Sequence, residues 1–172
     1  MKTLLLLGDS LIEYGDWQGA FPHTRCLNFG IAGETVEGLL QRLPTIIRQV
    51  EAPNATVIMT GTNNVAIDDF YFVPRYEEIV RLLSGAFPQT PLLVTSLLPI
   101  NFFWQPATLT PHLNNQLREM CRDLAVMYLD LHRRFLDAMD KGMAVFSEDG
   151  VHLSEAGYTV WQATLQESVP WL

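Results

Sequence analysis

Cysteine is scarce in this sequence. Only Cys26 and Cys121 occur among 172 residues, and they form neither a close pair nor the spacing of a metal site. A disulfide scaffold is therefore excluded, because such folds depend on several closely spaced bridges. Two free thiols suit a reducing compartment, and we expect a cytoplasmic protein.

Basic residues are also few. The chain has 11 Lys and Arg against 19 Asp and Glu, which gives a formal net charge of −8. A protein that binds the phosphate backbone of a nucleic acid needs a basic surface patch. The charge balance therefore predicts no nucleic-acid partner.

Long hydrophobic runs are missing. The longest early run, residues 4–7, ends at Gly8-Asp9 and is far shorter than the ~20 residues of a membrane span. There is also no internal repeat, linker or low-complexity tract, and the length corresponds to one domain over residues 1–172. With 48% hydrophobic and 17% charged residues, the composition is that of a globular protein.

Short apolar runs alternate with helical patterns along the chain. The predicted strands are residues 4–7, 27–29, 57–60, 92–96 and 127–129. The predicted helices are residues 37–50 and 74–87, one that opens at Thr110-Pro111, and one that opens at Ser154-Glu155. This alternation predicts an α/β fold with a parallel sheet covered by helices on both faces.

A candidate nucleophile directly follows the first strand. Ser10 lies in Gly8-Asp9-Ser10-Leu11, where a strand-to-helix turn can hold its hydroxyl near backbone amides. A serine at such a turn can equally be a helix N-cap. Near the C-terminus, Asp149 precedes His152 by three residues, so that its carboxylate can orient the imidazole toward a serine.

Two other strand ends offer hydrogen-bond donors for an oxyanion. Gly33 closes the segment 28–33 and can present a backbone N–H with no side chain in the way. Asn63, in Gly61-Thr62-Asn63-Asn64, can present its side-chain amide. With the backbone N–H of Ser10, these groups would form a three-donor oxyanion hole.

Taken together, these segments resemble the SGNH hydrolases, also called the GDSL esterase and lipase family. The four blocks of that family match Gly8 to Leu11, the segment ending at Gly33, Gly61 to Asn63, and Asp149 to His152, in the same order. The resemblance implies a flavodoxin-like three-layer α/β/α fold with a five-stranded parallel sheet. It also implies that Ser10 is the nucleophile, that His152 and Asp149 are the base pair, and that Gly33 and Asn63 complete the oxyanion hole.

One position departs from the usual family pattern. Asn64 stands where many members have aspartate, and the Gly-Thr-Asn-Asn form with Asn-Phe-Gly-Ile-x-Gly resembles the branch of the intracellular platelet-activating-factor acetylhydrolase catalytic subunits. That likeness implies short acyl groups such as acetyl. It leaves the role of Asn64 open.

A second acidic-histidine pair competes for the catalytic assignment. Asp130 and His132 follow the fifth predicted strand, and alternate residues on an extended segment share one face. We favour Asp149 and His152, because their separation of three suits a turn. His23 and His112 have no acidic neighbour in the sequence and are expected at the surface.

Aromatic residues cluster in the segments that follow the third and fourth strands. Ordinary packing is one explanation for them. The other is an apolar wall for an acyl or aryl group, and the expected substrate-binding residues are Phe70, Phe102, Phe103 and Trp104. Asp68-Asp69 lacks the further ligands of a metal site, and Asn28 replaces the first glycine of a dinucleotide fingerprint, so we expect no metal and no cofactor.

The sequence thus predicts a serine esterase that hydrolyses small-molecule carboxylic esters through an acyl-enzyme. A carbohydrate O-acetylesterase would use the same site. A non-catalytic flavodoxin-like ligand-binding module and an acidic scaffold are the alternatives from other classes. The oligomeric state is left open.

Overall fold

The computed structural model describes residues 1–100, 102 and 104–172. Its five strands are β1 (Lys2–Gly8), β2 (Thr24–Gly30), β3 (Ala55–Met59), β4 (Leu92–Thr95) and β5 (Met127–Leu129). They form one sheet in the order β2-β1-β3-β4-β5, and every neighbouring pair is parallel. This is the flavodoxin-like order, which confirms the predicted fold class.

Eight helices connect and cover the strands in the described part of the chain. They are α1 (Ser10–Glu13), α2 (Trp17–Ala20), α3 (Val36–Gln49), α4 (Thr62–Ala66), α5 (Val73–Ala86), α6 (Leu109–Asp123), α7 (Leu131–Asp140) and α8 (Glu155–Ser168). None of them is long and apolar enough to cross a membrane.

The hydrophobic run in β1 divides between two cores, because successive side chains of a strand point to opposite faces. Leu4 and Leu6 pack on the face covered by α1, α2, α7 and α8. Leu5 and Leu7 pack on the face covered by α3, α5 and α6. Burial on both faces is what makes β1 uniformly apolar instead of alternating.

Some predicted boundaries are wrong. Thr110 does not cap a helix: α6 begins at Leu109 after Thr108, so Pro111 is the third residue of the helix and not the first. The segment after β5 is helical from Leu131 rather than extended, and Asp130 caps it by accepting a hydrogen bond from the Arg133 N–H at 3.0 Å. The very short helices α2 and α4 were also not predicted, because four or five residues carry no helical periodicity.

The strand order sets the position of the site. The chain leaves β1 toward β2 on one side and returns to β3 on the other, so the order reverses between β1 and β3. In sheets of this kind, ligands bind beyond the carboxyl ends of the strands at that reversal. Ser10, Gly33 and Asn63 follow β1, β2 and β3 respectively and therefore lie at this edge.

Candidate active site

Ser10 is the first residue of α1 and is almost buried. The preceding Asp9, and not Ser10, is the N-cap, and its Oδ1 accepts a hydrogen bond from the Leu11 N–H at 3.0 Å. Gly8 lets β1 pack closely there, since a Cβ atom at this position would lie 1.9 Å from the Met59 carbonyl oxygen. The Ser10 hydroxyl is therefore free of capping and held at the end of a rigid strand.

The fold brings His152 to Ser10 across 142 residues of sequence. The Nε2 atom of His152 lies 3.1 Å from the Ser10 Oγ. Its Nδ1 atom lies 2.6 Å from the Oδ2 of Asp149. A hydroxyl, an imidazole and a carboxylate in this chain of contacts can activate the hydroxyl as a nucleophile.

Asp149 is surrounded by hydrogen-bond donors. Its Oδ1 accepts from the backbone N–H groups of Val151 and His152, both at 2.9 Å, and from the Ser147 hydroxyl at 2.8 Å. The pKa of Asp149 lies well below its usual range, mainly because of the hydrogen bond to the His152 ring. The three bonds to Oδ1 lower it further. Asp149 is therefore ionised at any pH at which an esterase would work.

The expected oxyanion donors lie in the loop after β2 and at the start of α4, and a hydrogen bond ties these two segments together. The Asn63 side-chain nitrogen donates to the Glu34 carbonyl at 2.9 Å, which places Asn63 beside the segment that contains Gly33. An amide nitrogen has two hydrogens, so one remains for a ligand. Gly33 has a φ of +76°, a left-handed conformation that favours glycine.

The Gly33 loop is also anchored on its other sides. A Glu13 side-chain oxygen accepts from the Ala32 N–H at 2.6 Å. The Glu34 carboxylate pairs with Arg42, which also donates to the Phe29 carbonyl at 2.6 Å. These bonds fix the loop against α1 and α3, as preorganised catalytic donors require.

Asn64 has a structural role that the sequence left open. It is completely buried, its Oδ1 accepts from the Val36 N–H at 2.9 Å, and its amide donates to Glu37 and Asp69. It therefore joins the start of α3 to the loop after α4. An aspartate could accept the bond from Val36 but could not donate to two carboxylates.

Asn63→Ala is expected to lower kcat by roughly 10²–10³-fold with a smaller change in KM, because an oxyanion donor acts mainly on the transition state. Steady-state kinetics with an aryl acetate would measure both constants. Asn115→Ala, which removes an exposed amide on α6, is the matched control. An unchanged kcat for Asn63→Ala, with chemistry rate-limiting, would remove Asn63 from the site.

The competing pair does not form a similar arrangement. The Asp130 carboxylate caps α7 and pairs with Arg118 at 2.6 Å. The His132 backbone N–H donates to the Ser96 hydroxyl at 2.7 Å, and burial lowers the pKa of its imidazole. Asp130 is therefore engaged in holding α7 and α6 together. His23 and His112 are exposed, as expected.

Asp9 is a buried carboxyl group next to the candidate nucleophile. It has no exposed surface, and within the described residues its Oδ2 has no hydrogen-bond partner. Burial raises its pKa from 3.8 to about 7, although the Leu11 N–H and the charge of His152 act in the opposite direction. Asp9 therefore changes charge near neutral pH.

This shift predicts a pH-dependent stability. The folded state keeps the Asp9 proton up to about pH 7, whereas the unfolded chain loses it near 3.8. The contribution of Asp9 to the free energy of unfolding is complete below pH 3.8. It falls by roughly 1.4 kcal/mol per pH unit between pH 3.8 and about pH 7. Asp9→Asn should remove the pH dependence that comes from Asp9. The difference in free energy of unfolding between wild type and Asp9→Asn should therefore vary with pH between 3.8 and about 7.

Urea unfolding at several pH values would measure that difference. Asp140→Asn, which removes an exposed carboxylate at the end of α7, controls for the change in net charge. A constant difference between wild type and Asp9→Asn from pH 4 to pH 8 would contradict the assignment.

The predicted substrate-binding aromatics separate into three groups. Phe70 lines a groove of 530 Å³ between α5 and α6. Phe102 contacts Trp104 with ring centroids 5.3 Å apart, and it shares a small cavity with Thr62, the neighbour of Asn63. Phe103 lies outside the described residues.

Tyr14 is a site residue that sequence reasoning missed. It is 56% exposed, and its ring centroid lies 5.3 Å from that of His152. Its position four residues after Ser10, directly after the short α1, was the available signal. Tyr14 also lines a 290 Å³ cavity between α2 and α8.

Asp68 and Asp69 have protein partners. Asp68 accepts from the Gln105 amide at 3.1 Å, and Asp69 accepts from Asn64 and from the Tyr71 N–H. In the part of the chain that the structure describes, no three His, Cys, Asp or Glu side chains form a potential metal site.

Known proteins match this chain in sequence and in fold. The GDSL-like Lipase/Acylhydrolase family matches residues 6–160. The platelet-activating factor acetylhydrolase IB subunit alpha1 of Rattus norvegicus is 31% identical over 169 residues, which cover 91% of this chain and 70% of that protein.

Two solved structures show the same fold at lower identity. A lipase/acylhydrolase from Enterococcus faecalis gives a TM-score of 0.80 at 19% identity, with coverage of 98% of this chain and 95% of that one. Axe2, an acetylxylan esterase from Geobacillus stearothermophilus, gives a TM-score of 0.75 at 20% identity. The match covers 96% of this chain and 93% of that one. With most of its length matched by the family, this chain belongs to the GDSL-like lipases and acylhydrolases and is a serine ester hydrolase.

Proposed function

We propose that the protein hydrolyses carboxylic esters of short acyl chains, with Ser10 as nucleophile, His152 as general base and Asp149 as its orienting carboxylate. One observation carries the proposal. His152 contacts Ser10 Oγ through Nε2 at 3.1 Å and Asp149 through Nδ1 at 2.6 Å, so a single imidazole links the two groups.

The first half of the reaction forms an acyl-enzyme. His152 Nε2 takes the proton of the Ser10 hydroxyl as the oxygen attacks the ester carbonyl. Asp149, ionised, stabilises the positive charge that develops on the imidazole. His152 then gives the proton to the departing alkoxide, and the acyl group remains on Ser10.

The second half uses water as the nucleophile. His152, neutral again, takes a proton from water as it attacks the acyl-enzyme, and then returns it to Ser10 Oγ as the acid leaves. In both halves, the negative charge on the carbonyl oxygen would be stabilised by the N–H groups of Ser10 and Gly33 and by the Asn63 amide. The hydrogen bond from Asn63 to Glu34 supports this grouping.

The preference for short acyl chains rests on the segment around Phe102 and Trp104. Gln105 in this segment donates to the Val65 carbonyl, which ties it to α4, the helix that contains Asn63. Trp104 is 51% exposed and so can contact a ligand. The names of the relatives also specify acetyl esters: one is a platelet-activating factor acetylhydrolase and another an acetylxylan esterase.

We expect kcat/KM for p-nitrophenyl esters to rise over the first few carbons and then to fall steeply. Each accepted methylene contributes about 0.8 kcal/mol of burial, but a chain longer than the pocket must displace packed groups. Measurement from acetate to palmitate would give the profile. Trp104→Ala should shift the optimum to longer chains, whereas Trp171→Ala, near the C-terminus, should not.

Two results would contradict this acyl-chain assignment. A wild-type preference for palmitate would rule out a short pocket. An identical profile in Trp104→Ala would remove Trp104 from the pocket wall.

Carbohydrate O-acetylesterase is a second candidate, and the cavity beside Tyr14 favours it. The alcohol departs next to His152, because that side chain protonates it, and Tyr14 contacts His152. The cavity there is lined mainly by polar and aromatic residues: Tyr14, Asp16, Ala20, Glu155, Tyr158, Thr159 and Gln162. If the alcohol is a sugar, Tyr14→Ala should lower kcat/KM for an acetylated xyloside more than for p-nitrophenyl acetate, and equal losses would favour a simple esterase.

We also propose a cytoplasmic location. Cys26 and Cys121 are both free, and free thiols suit a reducing compartment. Fractionation of the source cells with an antibody would test this.

A further inference from the structure

Ser147 closes the loop that carries Asp149 and His152. An isolated bridge pairs Phe146 with Leu153 at the base of this loop. One step further in, the Ser147 N–H donates to the His152 carbonyl at 2.8 Å, and the Ser147 carbonyl accepts from the Gly150 N–H at 3.0 Å. The backbone of Ser147 therefore fixes the loop from both sides.

The hydroxyl of Ser147 reaches the carboxylate itself. Its Oγ lies 2.8 Å from Asp149 Oδ1 and 3.1 Å from the His152 carbonyl. A hydroxyl has one proton, and an ionised carboxylate is the stronger acceptor. The proton therefore belongs on the shorter bond, to Asp149.

This bond matters because the Asp149 side chain is 51% exposed. Water competes for an exposed carboxylate, and rotation of a carboxyl group about its last bond meets only a broad, shallow barrier. The Oδ1 atom must stay with its donors if Oδ2 is to face the His152 Nδ1. Of the donors to Oδ1, Ser147 is the one that a substitution of a side chain can remove.

We propose that Ser147 is a positioning residue for ester hydrolysis, which holds the Asp149 carboxylate in the rotamer that orients His152. This inference rests on the proposed function. Ser147 would act only through Asp149 and His152, so it should affect the chemical step and not substrate binding.

Ser147→Ala should lower kcat about tenfold, the size expected for loss of a hydrogen bond to a charged group, with KM unchanged. Ser147→Thr keeps a hydroxyl and should restore most of the rate. Ser154→Ala is the matched control, because the Ser154 hydroxyl is close in sequence but donates to Ala144 and caps α8. That variant should lose thermal stability with little change in kcat.

A double-mutant cycle separates positioning from a general loss of loop structure. In the Asp149→Asn background there is no carboxylate to position, so Ser147→Ala should cause less than a twofold further loss. A second tenfold loss in that background would overturn the proposal, as would wild-type kcat in Ser147→Ala or failure of Ser147→Thr to restore the rate.

Failure of this inference is distinguishable from failure of the proposed function. If Ser10→Ala is inactive while Ser147→Ala has wild-type kcat, only the role of Ser147 is wrong. If Ser10→Ala retains wild-type turnover, the proposed function itself is wrong.

Discussion

Ser10→Ala should lower the kcat of ester hydrolysis by a factor on the order of 10⁴–10⁶ and leave the fold intact. The substitution removes only the attacking oxygen. The start of α1 depends on the Asp9 cap and on the backbone of Ser10, whose carbonyl accepts from the Tyr14 N–H at 3.0 Å, and neither changes.

Hydrolysis of p-nitrophenyl acetate and thermal unfolding would be measured on the same samples. Ser84→Ala, which removes an exposed serine hydroxyl on α5, should match the wild type in both. Residual activity in Ser10→Ala within tenfold of wild type would mean that another group is the nucleophile.

The two histidines near the carboxyl edge of the sheet should respond very differently to substitution. His152→Ala should lower kcat by a factor on the order of 10⁴ or more, because no base then contacts Ser10. His132→Ala should leave kcat within a few-fold of the wild type, since its backbone N–H, which bonds to Ser96, is retained.

Both variants should be assayed at the same pH after their folding has been checked by circular dichroism. Near-normal turnover in His152→Ala together with loss of activity in His132→Ala would transfer the catalytic role to the second pair.

The sheet was predictable because its signals are local. A strand buried on both faces is typically a short apolar run, and residues 4–7 and 57–59 are such runs. The last helix was predictable for a similar reason, because Ser154 caps it through its own side chain. The four sequence blocks then place Ser10, Gly33, Asn63 and His152 at strand ends or loops.

The errors lie where a local pattern allowed two structures. Thr110-Pro111 has the sequence of a helix start, but proline is tolerated throughout the first turn, and the helix begins two residues earlier at Leu109. Asp130 could cap a helix or end a strand. In the structure, Asp130 caps α7 by accepting from the Arg133 N–H, and it also pairs with Arg118 of α6.

Other features depend on contacts that a sequence pattern does not contain. The pKa of Asp9 is raised by its complete burial, which only the assembled fold produces. The proximity of Tyr14 to His152 depends on how the C-terminal loop packs against α1. Phe70 follows β3 as expected, and it lines a groove between α5 and α6 that no sequence pattern indicates.

Covalent labelling with a fluorophosphonate tests the central claim most directly. These probes react with serines that a neighbouring base activates. We predict one probe molecule per chain, attached to the peptide that contains Ser10 when the labelled protein is digested and analysed by mass spectrometry. No labelling of the folded wild-type protein, or stoichiometric labelling at any other residue, would contradict the account.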